Sequence, residues 1–345
     1  MRREKTDYTM TTAVTLLLLM FCATAGAAEP GYHLLKRLHP GGEGGWDYPT
    51  IDGSARRLYL SRGHHLQVVD LTTDKVMGDI PDTSGIHGIA LAPELHKGFT
   101  SNGKSNSISI FDLRTLKITG QIKSGDNPDA IVYDPATKRV VVCNGRSHDA
   151  TVIDAISGVV LKTIPLGGKP EFAVADGAGR VFVNIMDTAE VATIDCRTLN
   201  VIKRFPLAPC EEPTGIALDL KRHRIFSGCR NRLMTILESE SGRVVATIPI
   251  GGGVDGVGYD HARKLAFSAN GDGTLTVVRE LSTGVFSSET VVTRPGARTM
   301  AIDPMTHLLY LPTALFESAP ESAKNGEKLR PVMIRDSFEV LVVGQ

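Results

Sequence analysis

The chain has 345 residues, with 38 Lys and Arg against 38 Asp and Glu, and 42% of its residues are hydrophobic. That balance excludes the basic footprint of a nucleic-acid binder and the low-hydrophobicity, high-charge composition of a disordered chain. No uncharged run long enough to cross a bilayer follows the first 28 residues, so no further membrane segment is expected.

Residues 1–28 read as a secretory signal peptide. Arg2, Arg3 and Lys5 supply the charged start, an uncharged core begins at Ala13, and Ala25, Gly26, Ala27 and Ala28 supply the small residues of a cleavage site. Its removal takes away three basic and two acidic side chains and leaves the remainder near neutrality. The expected location is therefore periplasmic or secreted, with residues 29–345 forming one domain. Next in the chain, Tyr32 to His39 is a lone β-like run.

From there a roughly 42-residue pattern repeats almost to the end. Its clearest copy is NPDAIVYDPATKRVVVCNGRSHDATVIDAISGVVLKTIPL, from Asn127 to Leu166, with turn signals at Asp134-Pro135, Asn144-Gly145 and Ser157-Gly158. The acids that close the third run of successive copies, Asp70, Asp112, Asp154, Asp195, Glu238 and Glu280, stand 41 to 43 residues apart. Four short strands per unit at this period predict an all-β, seven-bladed propeller. The seventh unit has three strands at the C-terminal end, between residue 299 and Val343. The spare run Tyr32 to His39 is therefore expected to pair with Phe338 to Val343 and close the last blade. Between its second and third strands, the polar segment Glu317 to Arg335 is expected to be a mobile loop over one face.

The stretches FTSNGKSNSISIFDLRTLKI, VVVCNGRSHDATVIDAISGVVLKTIPL and LAFSANGDGTLTVVRELSTG resemble the YVTN, or YncE-like, repeat family over about residues 31 to 345. The resemblance implies a propeller and names no ligand. With Trp46 the one tryptophan, no Trp-Asp dipeptide recurs with the repeat, which separates the chain from the WD40 branch.

In a propeller, the connections between blades share one face, here called the top, with the turns between second and third strands. Cys210, in the connection entering blade 5, and Cys229, at the upper end of that blade's second strand, are expected to form a disulfide in an oxidising compartment. Cys143 and Cys196 are expected to be single buried thiols. No CxxC or CxxCH spacing occurs, which sets aside zinc ribbons and c-type haem.

The repeat explains many of the polar residues. The six third-strand acids can accept backbone N–H groups of a bottom hairpin turn, and Asp52, Asp134, Asp176, Asp219, Asp260 and Asp303 fill a second turn slot. His96, His223, His261 and His307 fall in bottom turns, where solvated imidazoles are expected. His39, His64, His65, His87 and His148 fall on the top. Asn102, Asn144, Asn184 and Asn270, near the tops of second strands, suit either a ligand contact or a left-handed turn residue.

One ring of side chains is left over. Five residues before the first-turn slot, which holds an acid in six blades and Ala92 in blade 2, stand Asp47, His87, Asp129, Glu171, Thr214, Asp255 and Arg298, where each blade enters the central channel. Such a ring can hydrate a water-filled channel, or it can bind a ligand through Asp47, His87, Asp129, Glu171, Asp255 and Arg298. Asp129, Glu171 and Asp255 are the candidate metal ligands; their oxygens suit Ca²⁺ or Mg²⁺, and His87 would admit Mn²⁺ or Zn²⁺. No cofactor motif is present beyond that divalent cation.

No GxSxG elbow or phosphate-cradling loop before a helix occurs. The favoured reading is a non-catalytic, monomeric binding protein of the cell envelope, taking a protein partner or small ligand at the channel mouth. The alternative is a lactonase-like, metal-dependent hydrolase, in which a cation polarises a carbonyl and acidifies a water.

Overall fold

A computed structural model describes residues 31–317 and 332–345. The expected signal peptide lies outside the described residues, as does most of the expected Glu317–Arg335 loop. The remainder forms seven four-stranded antiparallel sheets.

Blade 3 shows the unit: Pro128–Asp134, Arg139–Asn144, Asp149–Asp154 and Val160–Pro165 pair in sequence order. The first strand of each blade lies innermost, and neighbouring first strands pack on one another around the channel. Blade 7 is composite. His33–Leu38 pairs antiparallel with Glu339–Gly344, which pairs with Leu309–Thr313, which pairs with Ala301–Ile302. The N-terminal strand thus closes the ring as the outer strand of blade 7, covering the edge that Glu339–Gly344 would otherwise leave open.

Near-continuous apolar runs along the second and third strands give every blade two buried faces, and the core divides accordingly into seven clusters, each shared by two neighbours. Leu58, Leu60 and Val69 of blade 1 meet Tyr310, Val340 and Val342 of blade 7, for example. At about 25 cal/mol per Å² of apolar surface removed from water, these interfaces are the main source of stability. The inner strands approach closely: a Cβ on Gly215 would stand 2.5 Å from the Val257 nitrogen, so only glycine fits there.

Both sets of turn acids take up backbone N–H groups, except Glu238, which accepts from the Ser241 hydroxyl and the Arg243 guanidinium. Asp112 accepts from Thr115 at 2.8 Å, and Asp134 accepts from Thr137 at 3.0 Å. The first-turn acids do more than the repeat alone requires, because several also reach the next blade. Asp134 accepts from Gly179, Asp219 from the Tyr259 hydroxyl, and Asp303 from Arg56 across the ring closure. Asp260 meets His307 at 2.9 Å, so this histidine is half-buried and paired, unlike the exposed His96, His223 and His261.

Cys210 and Cys229 are joined, with their Cα atoms 5.6 Å apart, and Cys143 and Cys196 are single and buried. The described ends of the Glu317–Arg335 segment are tied together: Glu317 donates to the Val332 carbonyl and Ile334 to that of Leu315, both at 2.8 Å. Among the described residues, no helix is long and apolar enough to cross a membrane.

Candidate functional site

The four buried asparagines correct both readings offered for them. None has a left-handed backbone, and all four side chains are fully buried. The Asn144 amide donates to Asp149 at 2.6 Å and Thr151 at 2.9 Å on the third strand, Asn102 donates to Ser109, and Asn270 to Thr274 and Thr276. Asn184 turns instead to the carbonyls of Thr214 and Gly215 in the next blade. Their spacing from hydroxyl-bearing third-strand residues makes them polar ties within and between blades, where an unpaired amide would be costly.

The ring residues have a different setting. In blades 2 to 6 the register of the first strand slips at this slot, for instance between Ile86 and Ile89, Pro128 and Ile131, and Pro170 and Ala173. A bulge removes a residue from the ladder and re-aims its side chain. Asp47, His87, Asp129, Glu171, Asp255 and Arg298 accordingly line one cavity of about 590 Å³ at the channel mouth. Thr214 is the exception, since its hydroxyl donates to the Val254 carbonyl within the wall.

The pairing is uneven. His87 Nδ1 stands 2.6 Å from Asp47 and 3.8 Å from Asp129. Arg298 Nε donates to Asp255 at 2.7 Å. Lys169 approaches Glu171 at 3.1 Å, an ion pair without hydrogen-bond alignment. Asp129 is left with no hydrogen bond to its carboxylate among the described residues, although its side chain is only 16% exposed.

The electrostatics follow from that geometry. Burial, reinforced by repulsion from Asp47, Glu171 and Asp255 and offset by His87, pushes the Asp129 carboxyl up to about 8. Burial and Asp47, against the pull of Arg298, bring Asp255 up to about 6. Burial disfavours the imidazolium of His87, yet Asp47, Asp129 and Glu171 outweigh it and hold the ring at about 9. Burial and Asp255 keep the Tyr48 hydroxyl well above the usual phenol range.

The cation-binding geometry differs from the expected set. Asp47, His87 and Asp129 offer one atom each within 4.8 Å of one another, the grouping among the described residues that could hold a metal ion. Glu171 and Asp255 stand outside it, each engaged by its own cation.

One residue along the same register, sequence reasoning missed the floor of the cavity. There stand Tyr48, Gly88, Ala130, Phe172, Gly215, Gly256 and Thr299. The rings of Tyr48 and Phe172, from blades 1 and 4, meet across the channel with centroids 4.4 Å apart. The glycines among them let neighbouring inner strands approach closely. The Tyr48 hydroxyl reaches toward Asp255 at 3.4 Å, and Phe316 and Arg230 complete the wall. Reading the repeat at this second slot would have shown two aromatics among small residues. Trp46 lies to one side and packs on Phe316 and Phe338.

The site can therefore attract positive charge, donate hydrogen bonds from His87 and Arg298, and pack a flat or apolar body against Tyr48. Fold and site define the class: a seven-bladed β-propeller with an acidic, aromatic-floored channel mouth. No family model matches the chain, and no curated protein matches it. Among solved structures, it is similar to Kuenenia stuttgartiensis hydrazine synthase, with 16% identity and a TM-score of 0.68 over 83% of this chain and 96% of that one. At that identity, the likeness is one of fold.

Proposed function

We propose that the protein is an exported, YVTN/YncE-like propeller of the cell envelope that binds, without catalysis, a small ligand presenting a positively charged group to the channel mouth. The carrying observation is Asp129: three of the four mouth carboxylates have a cation within 3.1 Å, whereas this one reaches only His87, at 3.8 Å, which it shares with Asp47. A cationic group seated beside it would relieve repulsion among four acids around one cavity, and the Tyr48–Phe172 floor would pack its apolar portion. The segment 1–28 and the Cys210–Cys229 disulfide support export to an oxidising compartment.

A second reading has its own observation. The Asp47, His87 and Asp129 grouping suits a divalent cation, and a bound metal would supply the Lewis acidity that a lactonase-like hydrolase needs. One experiment separates the two. Thermal unfolding of the mature protein is measured with Ca²⁺, Mg²⁺, Mn²⁺, Zn²⁺ or n-pentylamine, for wild type and Asp129→Ala/Glu171→Ala. A ligand at 100 times its Kd stabilises by about 2.7 kcal/mol. Pentylamine is expected to raise the wild-type Tm and to leave the double variant unmoved. A shift by divalent ions alone would transfer support to the hydrolase reading, and no shift by any of them would end both.

A further inference from the structure

A second cavity of about 360 Å³ adjoins the mouth on its blade 2 and blade 3 side. The two share Asp47, His87 and Arg298 as lining residues. Their chemistry is opposite. The mouth gathers Asp129, Glu171 and Asp255, whereas the outer cavity gathers Lys104, Arg146 and the Asn127 amide.

Local structure explains the contrast. Lys104 and Arg146 occupy equivalent positions in the top turns of blades 2 and 3, each after an Asn-Gly pair, Asn102-Gly103 and Asn144-Gly145. Both side chains are exposed, and neither is tied to an acid among the described residues. Glycine opens this side: a Cβ on Gly103 would lie 2.7 Å from His87 Nε2 and 3.2 Å from Asn127 Oδ1. The imidazole thus forms the partition between the cavities. Its Nδ1 edge meets Asp47 and Asp129, while its Nε2 edge lies against Gly103 at the outer cavity.

Resting on the reading above, we infer that the ligand is a small zwitterion, its ammonium group held among the mouth carboxylates and its carboxylate or phosphate held by Lys104 and Arg146 in the adjoining cavity. Cationic side chains beside an oxyanion make charge-assisted hydrogen bonds, the strong kind, and Arg146 can do so with two N–H groups at once. The two volumes suit a molecule of amino-acid to dipeptide size.

Isothermal titration of the mature protein with two matched pairs tests this: n-pentylamine against 5-aminopentanoate, and ethanolamine against O-phosphoethanolamine. In the wild type, at least one zwitterion is expected to bind about tenfold or more tightly than its matched amine, the gain of one added charge-assisted hydrogen bond. Which pair shows the gain tells carboxylate from phosphate. In Lys104→Glu/Arg146→Glu, whose positions are exposed and outside the core, the ratio of zwitterion to amine affinity is expected to fall to near one. Equal binding of amines and zwitterions by the wild type overturns the inference and leaves the acidic-mouth reading standing. A zwitterion preference that survives Lys104→Glu/Arg146→Glu also overturns it. Failure of every probe to bind the wild type overturns both.

Discussion

Asp129→Asn removes the mouth carboxylate that has no hydrogen-bonded cation, and it should make the ligand-free protein more stable. The unfolded chain releases this proton near 3.8, whereas the folded chain holds it up to about 8. Between those values the native state carries the extra proton, so the free energy of unfolding falls as pH rises, and the loss is complete above about pH 8. His87, raised to about 9, acts in the same direction, its stabilisation being full below about 6.5 and lost as pH rises through 9. At about 1.4 kcal/mol per pH unit, the separation for Asp129 sets a ceiling of about 6 kcal/mol. Water entering the open cavity screens the repulsion, so a gain of about 1–3 kcal/mol is expected near pH 8.5, and a smaller one near pH 5. Urea unfolding of wild type and variant at both pH values measures it, and the gain should appear as a few degrees in Tm. The same variant should lose most of the cation-dependent rise in Tm, because the site trades stability for binding. A variant less stable than the wild type near pH 8.5, or a difference that does not change with pH, would refute the reasoning.

Two further outcomes test the frame that holds the site. Free-thiol counting on the unreduced, unfolded mature protein should find two thiols, Cys143 and Cys196, and Cys210→Ser/Cys229→Ser should cost about 2–4 kcal/mol; a count of four would remove the disulfide. Asn144→Ala should destabilise by about 1–3 kcal/mol in urea, since it strands the side chains of Asp149 and Thr151, while leaving pentylamine affinity within about twofold; a large loss of affinity without loss of stability would return this asparagine to the ligand site.

The seven-bladed ring, the strand exchange in blade 7 and the turn roles of the acids were legible in the sequence, because each depends on a local period repeated along the chain. Hydrophobic alternation, turn residues and a fixed repeat length act over a few residues, and a register copied through the chain corrects its own weak members. Asp47, His87, Asp129, Glu171, Asp255 and Arg298 could be named as one ring for the same reason. What each does within the ring could not be read that way. The grouping of Asp47 with His87 and Asp129, the engagement of Asp255 by Arg298, and the longer approach of His87 to Asp129 than to Asp47 depend on side-chain distances between different blades. The Tyr48–Phe172 floor joins blades 1 and 4 across the channel, and the burial of Asn102, Asn144, Asn184 and Asn270 depends on a bonded neighbour several residues or a whole blade away. Period specifies which face of a strand a side chain takes; only closure of the ring brings distant faces together, and charge, burial and pairing are set by that convergence.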